Sequence, residues 1–285
     1  MPSTSSPSRS PVAVLKRHKV AAGVAAWALL IAVFALFTPS VTVREQTRPA
    51  DALPRLDAAV GDAAGLLTGK PYGYSLTALT FEGACDITPV RSGVEYSRTV
   101  TVYTGKKNAR AAAEELYKGL KKRYDLEPTS FSKRPSYSGT SADYVDFELR
   151  QDPELVVWRA TTGCRPAADA VGELAPAFAP GAQSAMLLKR LDVDDPDWSS
   201  ATAACGDLGG PGGTASTATA TGELAKDTKA DLAKLADDLP EDTEVTVASK
   251  KLLSYRLEGV THAVSLDGRA VTVTATEGCD GKSGD

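Results

Sequence analysis

Four carboxylates crowd one short stretch, Asp192, Asp194, Asp195 and Asp197, around Pro196 and just ahead of Trp198. Oxygen ligands at alternating positions suit calcium. In an EF-hand-like register begun at Asp192, however, the fifth position falls on Pro196 and no glycine follows where the sharp turn is needed. The stretch therefore reads as a solvated loop. One histidine, His262, occurs after residue 43. It has no nucleophile motif and no ligand-spaced companion, so it reads as a partly exposed residue at the start of a strand. That part of the chain contains no Gly-x-Ser-x-Gly elbow, His-Glu-x-x-His pair or Walker loop. No catalytic residue, metal ligand or cofactor is assigned.

The remaining reactive side chains are Cys85, Cys164, Cys205 and Cys279. None forms a Cys-x-x-Cys pair, which disfavours both zinc and dithiol redox chemistry. Four cysteines allow three pairings, and an internal repeat chooses between them. Arg48-Pro49-Ala50 opens one unit and Arg165-Pro166-Ala167 the next. Each unit then carries a cysteine and a β-prone run ending in Thr-Gly, over Thr99–Gly105 and Ala215–Gly222. A helical pattern and a hairpin follow in both. The ends match through Ala-Thr-x-Gly-Cys, at Cys164 and at Cys279. Two related units that each own two equivalent cysteines pair Cys85 with Cys164 and Cys205 with Cys279, bridges worth roughly 4 to 5 kcal/mol each by loop entropy.

The elements that position these residues follow from periodicity. In the first unit Ala109, Ala112, Ala113, Leu116, Leu120 and Tyr124 recur at helical spacing, with Asn108 available as N-cap. In the second, Ala225, Thr228, Leu232, Leu235 and Leu239 form a similar stripe stopped by Pro240. Leu56, Val60, Ala63 and Leu67 mark a helix over Leu53–Leu67, whereas its counterpart between Ala167 and Leu191 is broken by Pro176 and Pro180. Ser75–Phe81 alternates as a strand. Hairpins are expected from Tyr144–Arg150 with Leu155–Thr161, and from Val260–Ser265 with Ala270–Thr276 around Asp267-Gly268. Gly206–Gly213 reads as a flexible connector. The order β-α-β-β defines an α+β class, each unit being a small antiparallel sheet with a packed helix and one internal disulfide.

Ahead of both units, Val20–Phe37 is uninterruptedly apolar and no charge falls between Lys19 and Arg44. Residues 20–43 extend roughly 36 Å as a helix, enough to span a bilayer. Lys16, Arg17 and Lys19 precede the run, placing the N-terminus in the cytoplasm and the bulk outside. The expected organisation is a disordered cytoplasmic tail at 1–19, a transmembrane anchor at 20–43, and extracytoplasmic units at 44–164 and 165–285. The anchor is read as uncleaved because its apolar run exceeds that of a signal peptide.

Of the 32 Lys and Arg and 36 Asp and Glu, four basic residues and no acidic ones precede the run, so the remainder is net acidic. Nucleic acid is thereby disfavoured as a partner. The basic exception is the first unit's helix, with Lys106, Lys107, Arg110, Lys118, Lys121, Lys122 and Arg123 around Glu114 and Glu115, followed by Lys133 and Arg134. These read as a salt-bridged face, or as a contact for anionic lipid or wall polymer. The partners expected are therefore the membrane, through 20–43, and an envelope protein. The expected role is non-catalytic binding or scaffolding, with a wall-directed enzyme or a ligand-sensing subunit as the alternatives.

This topology makes a direct prediction. Protease added to intact cells or spheroplasts should cleave residues after Val43, and complete protection would place them in the cytoplasm.

Overall fold

The computed structural model describes residues 27, 29, 48–89, 91–129, 134–167, 181–206, 208, 212–226, 228 and 230–279. The expected anchor and cytoplasmic tail lie outside them, apart from Trp27 and Leu29. Among the described residues no helix is long and apolar enough to cross a membrane.

Helix α1 spans Pro49–Leu67. Proline sits in its first turn, where a missing N–H costs no hydrogen bond, and the Asp51 carboxylate accepts from the Arg48 backbone N–H at 3.0 Å. Its expected stripe of Leu56, Val60, Ala63 and Leu67 is buried, and so are Ala52, Ala59 and Ala64. The buried face is wider than that stripe because α1 packs against both halves of the protein. Ala201, Ala203 and Ala215, from the second half, belong to the same core.

After α1 come β1 (Gly73–Leu76), β2 (Thr80–Thr88) and β3 (Arg91–Tyr103). The single strand expected over Ser75–Phe81 is thus two. The chain steps out at Thr77, whose N–H donates to the Thr99 carbonyl while its hydroxyl accepts from the Thr99 N–H. Helix α2 (Gly105–Tyr124) follows and buries each of the six residues expected on its apolar face. Its N-cap is Thr104 rather than Asn108, one turn earlier, where Gly105 adopts φ +66°. Strands β4 (Glu127–Pro128), β5 (Ser136–Thr140), β6 (Asp146–Gln151) and β7 (Leu155–Thr161) complete the first sheet.

The second half contains α3 (Ala182–Arg190), β8 (Asp197–Ala204), β9 (Thr214–Glu223), a single turn α4 (Leu232–Leu235) and strands β10 (Glu244–Ala248), β11 (Leu252–Leu257), β12 (Val260–Asp267) and β13 (Ala270–Glu277). The long helix expected over Ala225–Leu239 is therefore not formed. Asp231 caps the turn by accepting from the Ala233 N–H at 3.2 Å, and a 3-10 turn follows at once over Ala236–Asp238. Cover for the sheet comes instead from α3, whose Leu187 and Leu188 join Leu232 against Leu253, Val264 and Val273.

Both sheets are antiparallel and share one strand order. The first runs β1-β3-β7-β6-β5-β4, with β2 also on β3; the second, read the same way, runs β8-β9-β13-β12-β11-β10. In each, the strand before the helix lies beside the last strand. Cys85 is joined to Cys164 and Cys205 to Cys279.

Residues 44–285 form one unit, and its halves are joined by polar as well as apolar contacts. Arg98, 2% exposed, reaches from β3 to Asp57 on α1 at 2.5 Å and to the Thr202 carbonyl on β8 at 2.8 Å. Strand β1 meets the second sheet, where the Leu76 N–H donates to the Thr217 hydroxyl. At the tightest approach the Gly206 N–H donates to the Gly61 carbonyl at 3.1 Å. A Cβ at Gly61 would fall 1.9 Å from the Ala204 carbonyl oxygen, and one at Gly206 would fall 1.8 Å from an Asp62 carboxylate oxygen. Backbone meets helix here with no room for a side chain. Gly61→Ala should therefore lower the urea stability of the 44–285 fragment by at least about 2 kcal/mol, despite alanine's better helix propensity. An unchanged midpoint would show that the seam is looser than described.

Candidate binding groove

In an antiparallel strand successive side chains alternate between faces. Val100 and Val102 of β3, Val156, Trp158 and Ala160 of β7, and Phe147 and Leu149 of β6 point into the core beneath α1 and α2. The intervening residues lie on the other face. There Thr77, Thr80, Glu82, Ser97, Thr99, Glu148, Arg150, Val157 and Arg159 line an open groove of about 340 Å³. A second depression of about 240 Å³ shares Glu148 and Arg159 and extends the surface over Ser136, Ser138, Asp146 and Thr161.

Two devices set the groove's electrostatics. A register shift in β2 between Phe81 and Gly83 places Glu82 so that it accepts from the Ser97 hydroxyl and pairs with Arg159 at 2.8 Å. On β6, Glu148 stands directly across from Arg159 in the ladder. Arg159 is thus flanked by two carboxylates, while Arg150 pairs with Asp152 at 3.2 Å. Charges of both signs alternate with hydroxyls. This surface offers donors and acceptors in balance, which suits a polar ligand.

The residues singled out from the sequence do not gather here. Asp192, Asp194 and Asp195, on the turn between α3 and β8, and Asp197, the first residue of β8, are all exposed, while Val193 points into the second core. Asp192 and Asp195 adopt left-handed backbone conformations. Among the described residues no group of three or more His, Cys, Asp or Glu side chains is placed to hold a metal ion. On α2, Arg110 pairs with Glu114 at 3.0 Å, Glu115 with Lys70, and Arg123 with the buried Asp62 at 2.9 Å. Tyr124 also donates to Asp62, and burial together with that carboxylate pushes its phenol pKa up. Lys133 and half of Gly206–Gly213, residues 207 and 209–211, lie outside the described residues.

His262 corrects the expectation of partial exposure, being 6% exposed. Strand β12 is interior to a sheet covered on both sides, by α3 and α4 on one face and by β1 and Tyr103 on the other. The ring stacks on Tyr255 at 5.2 Å, the Tyr255 hydroxyl accepts from Gln183, and the His262 Nδ1 has no hydrogen-bond partner among the described residues.

The groove was within reach of the sequence. Thr99, Glu148 and Arg159 occupy polar positions between buried ones. The hidden part was Glu82, brought into place by the bulge.

No family model matches the chain, and no curated protein matches it. Among solved structures it is similar to a DUF4853 family protein from Actinomyces odontolyticus, at 12% identity and a TM-score of 0.33, covering 58% of this chain and 88% of that one. A likeness this distant carries no argument.

Burial lowers the His262 pKa to about 4 from an ordinary 6.5. Above pH 6.5 the ring is neutral in both the folded and unfolded chain. Below it the unfolded chain takes up a proton that the folded one refuses, so stability falls as pH drops towards 4, by about 3 kcal/mol in all. Urea unfolding at neutral and acidic pH should show this loss reduced by a comparable amount in His262→Leu. An equal acid loss in both proteins would mean that the ring does not stay neutral on folding.

Proposed function

We propose that this chain is a non-catalytic binding protein of the cell envelope, anchored through residues 20–43 with its N-terminus in the cytoplasm and 44–285 outside. The groove on the first sheet receives a polar segment of an envelope protein partner. The observation that carries this reading is the groove itself. It is open, lined by hydroxyls and by charges of both signs, and built on strands whose opposite face is fixed by two helices, a rigid platform for a polar surface. Its breadth and balanced charge fit recognition better than the concentrated, desolvated groups that catalysis requires.

Two features support the rest of the reading. Paired cysteines favour an oxidising compartment, which agrees with export of everything after Val43. The common strand order of the two sheets supports a duplication in which 44–164 and 165–285 descend from one unit, the second having shortened the counterpart of α2 to the single turn α4.

Site-specific photo-crosslinking in cells tests the groove. A photoreactive residue at Val157 should capture an envelope protein, one at Asp267 on the far hairpin should not, and Arg159→Glu should reduce the Val157 product by at least about tenfold by placing a third carboxylate beside Glu82 and Glu148. If Val157 captures nothing, while the purified protein cleaves or modifies wall material, the enzyme reading replaces this one.

A further inference from the structure

Opposite the groove, the outer surface of α2 carries cations that the fold does not neutralise. Lys118, Lys121 and Lys122 are all exposed, and none has an ion-pair partner among the described residues. Lys121 instead lies over the ring of Tyr117 at 5.6 Å. The acidic residues of the same helix are already engaged, Glu114 by Arg110 and Glu115 by Lys70. The three lysines therefore form a local positive patch on a protein that is otherwise acidic.

The placement of this patch follows from how the helices pack. Leu66 of α1 lies against Gly119 of α2, and Asp62 meets Arg123 and Tyr124. As the chain goes back along α1 towards its start, it passes forward along α2 towards its end, so the helices are antiparallel. The basic end of α2 lies on the side from which α1 begins. Four residues, 44–47, separate Val43, the end of the expected anchor, from Arg48, the N-cap of α1, and an extended chain covers that interval in about 17 Å at most.

We infer that the basic C-terminal half of α2, centred on Lys118, Lys121 and Lys122, docks on an anionic phospholipid surface. The inference rests on the reading of 20–43 as a membrane anchor, which supplies the surface within reach. Charge complementarity holds the patch against the headgroups, each lysine adding attraction that decays within a Debye length. Because α2 covers one face of the first sheet and the groove lies on the other, docking turns the groove away from the bilayer. The anchor holds the protein at the membrane, and the lysines set its orientation.

The test uses the 44–285 fragment, which contains both disulfides and every core described above, so that lipid binding is read without the anchor. The fragment should co-float with phosphatidylcholine vesicles containing about 30% phosphatidylglycerol, ignore pure phosphatidylcholine, and be released when salt shortens the Debye length to about 3 Å. The triple variant Lys118→Gln, Lys121→Gln, Lys122→Gln should keep the parent's thermal midpoint and lose about 100-fold in partitioning. Lys226→Gln, Lys234→Gln and Lys250→Gln together, in the second half, should leave partitioning unchanged. Equal binding to both vesicle types, no binding to either, or full binding by the α2 triple variant would overturn the inference. Protease mapping of the full chain judges the anchor separately, so either reading can fail without the other.

Discussion

A guanidinium almost wholly withdrawn from water must be satisfied where it lies, because an uncompensated buried charge costs several kcal/mol. Arg98 meets that requirement with groups from three places: Asp57 on α1, the carbonyl of Thr77 between β1 and β2, and the carbonyl of Thr202 on β8. Asp57 is half exposed, so the pair sits at the edge of the interface and part of its charge remains hydrated. The consequence is structural. The first sheet cannot satisfy its own arginine unless the second sheet is in position, and α1 cannot leave without breaking the Asp57 pair. The groove, the helices behind it and the second half therefore form one object.

That dependence explains the character of the interface. The second sheet turns threonines and serines towards β1, and Thr217 accepts from the first half's backbone while sharing a hydrogen bond with Thr276 at 2.8 Å. Ser75 and Tyr103 form their own pair at 2.7 Å in the same region. A surface of this kind can be apolar enough to pack and polar enough to specify register, since each missing hydrogen bond would leave a buried group unpaired. The far end of the first sheet's open face is occupied in this way. Its near end, free of the second sheet, is the groove.

How far the fold could be read from residues depended on range. The face of α2 was legible residue by residue because one helix packing on one sheet repeats its burial every three or four positions. The terminal hairpins were legible for the same reason, through alternation and Asp267-Gly268, and so were the cysteine pairings, through the repeated ends. The breadth of α1's burial was not legible, since Ala52, Ala59 and Ala64 are covered by partners far along the chain and alanine carries little signal of its own. The second helix misled because its leucine stripe continued through residues that the structure uses for a capped single turn. His262 misled because a polar residue in a strand looks exposed when only one face of the sheet is assumed to be covered. Glu82 required a bulge that no local pattern announces.

The two bridges have a further property when the cysteines are taken in order of appearance. Cys164 is the first thiol to follow Cys85, and Cys279 the first to follow Cys205, so the connectivity is sequential and never interleaved. A chain released gradually from its N-terminus presents each cysteine with its native mate before any competitor arrives. By the time Cys205 emerges, the first pair can already be closed, leaving the last two thiols only each other. Sequential connectivity of this kind lets order of release, rather than reshuffling by an isomerase, limit mispairing. The arrangement also explains how a protein whose halves depend on one another at Arg98 can still acquire its covalent links one half at a time.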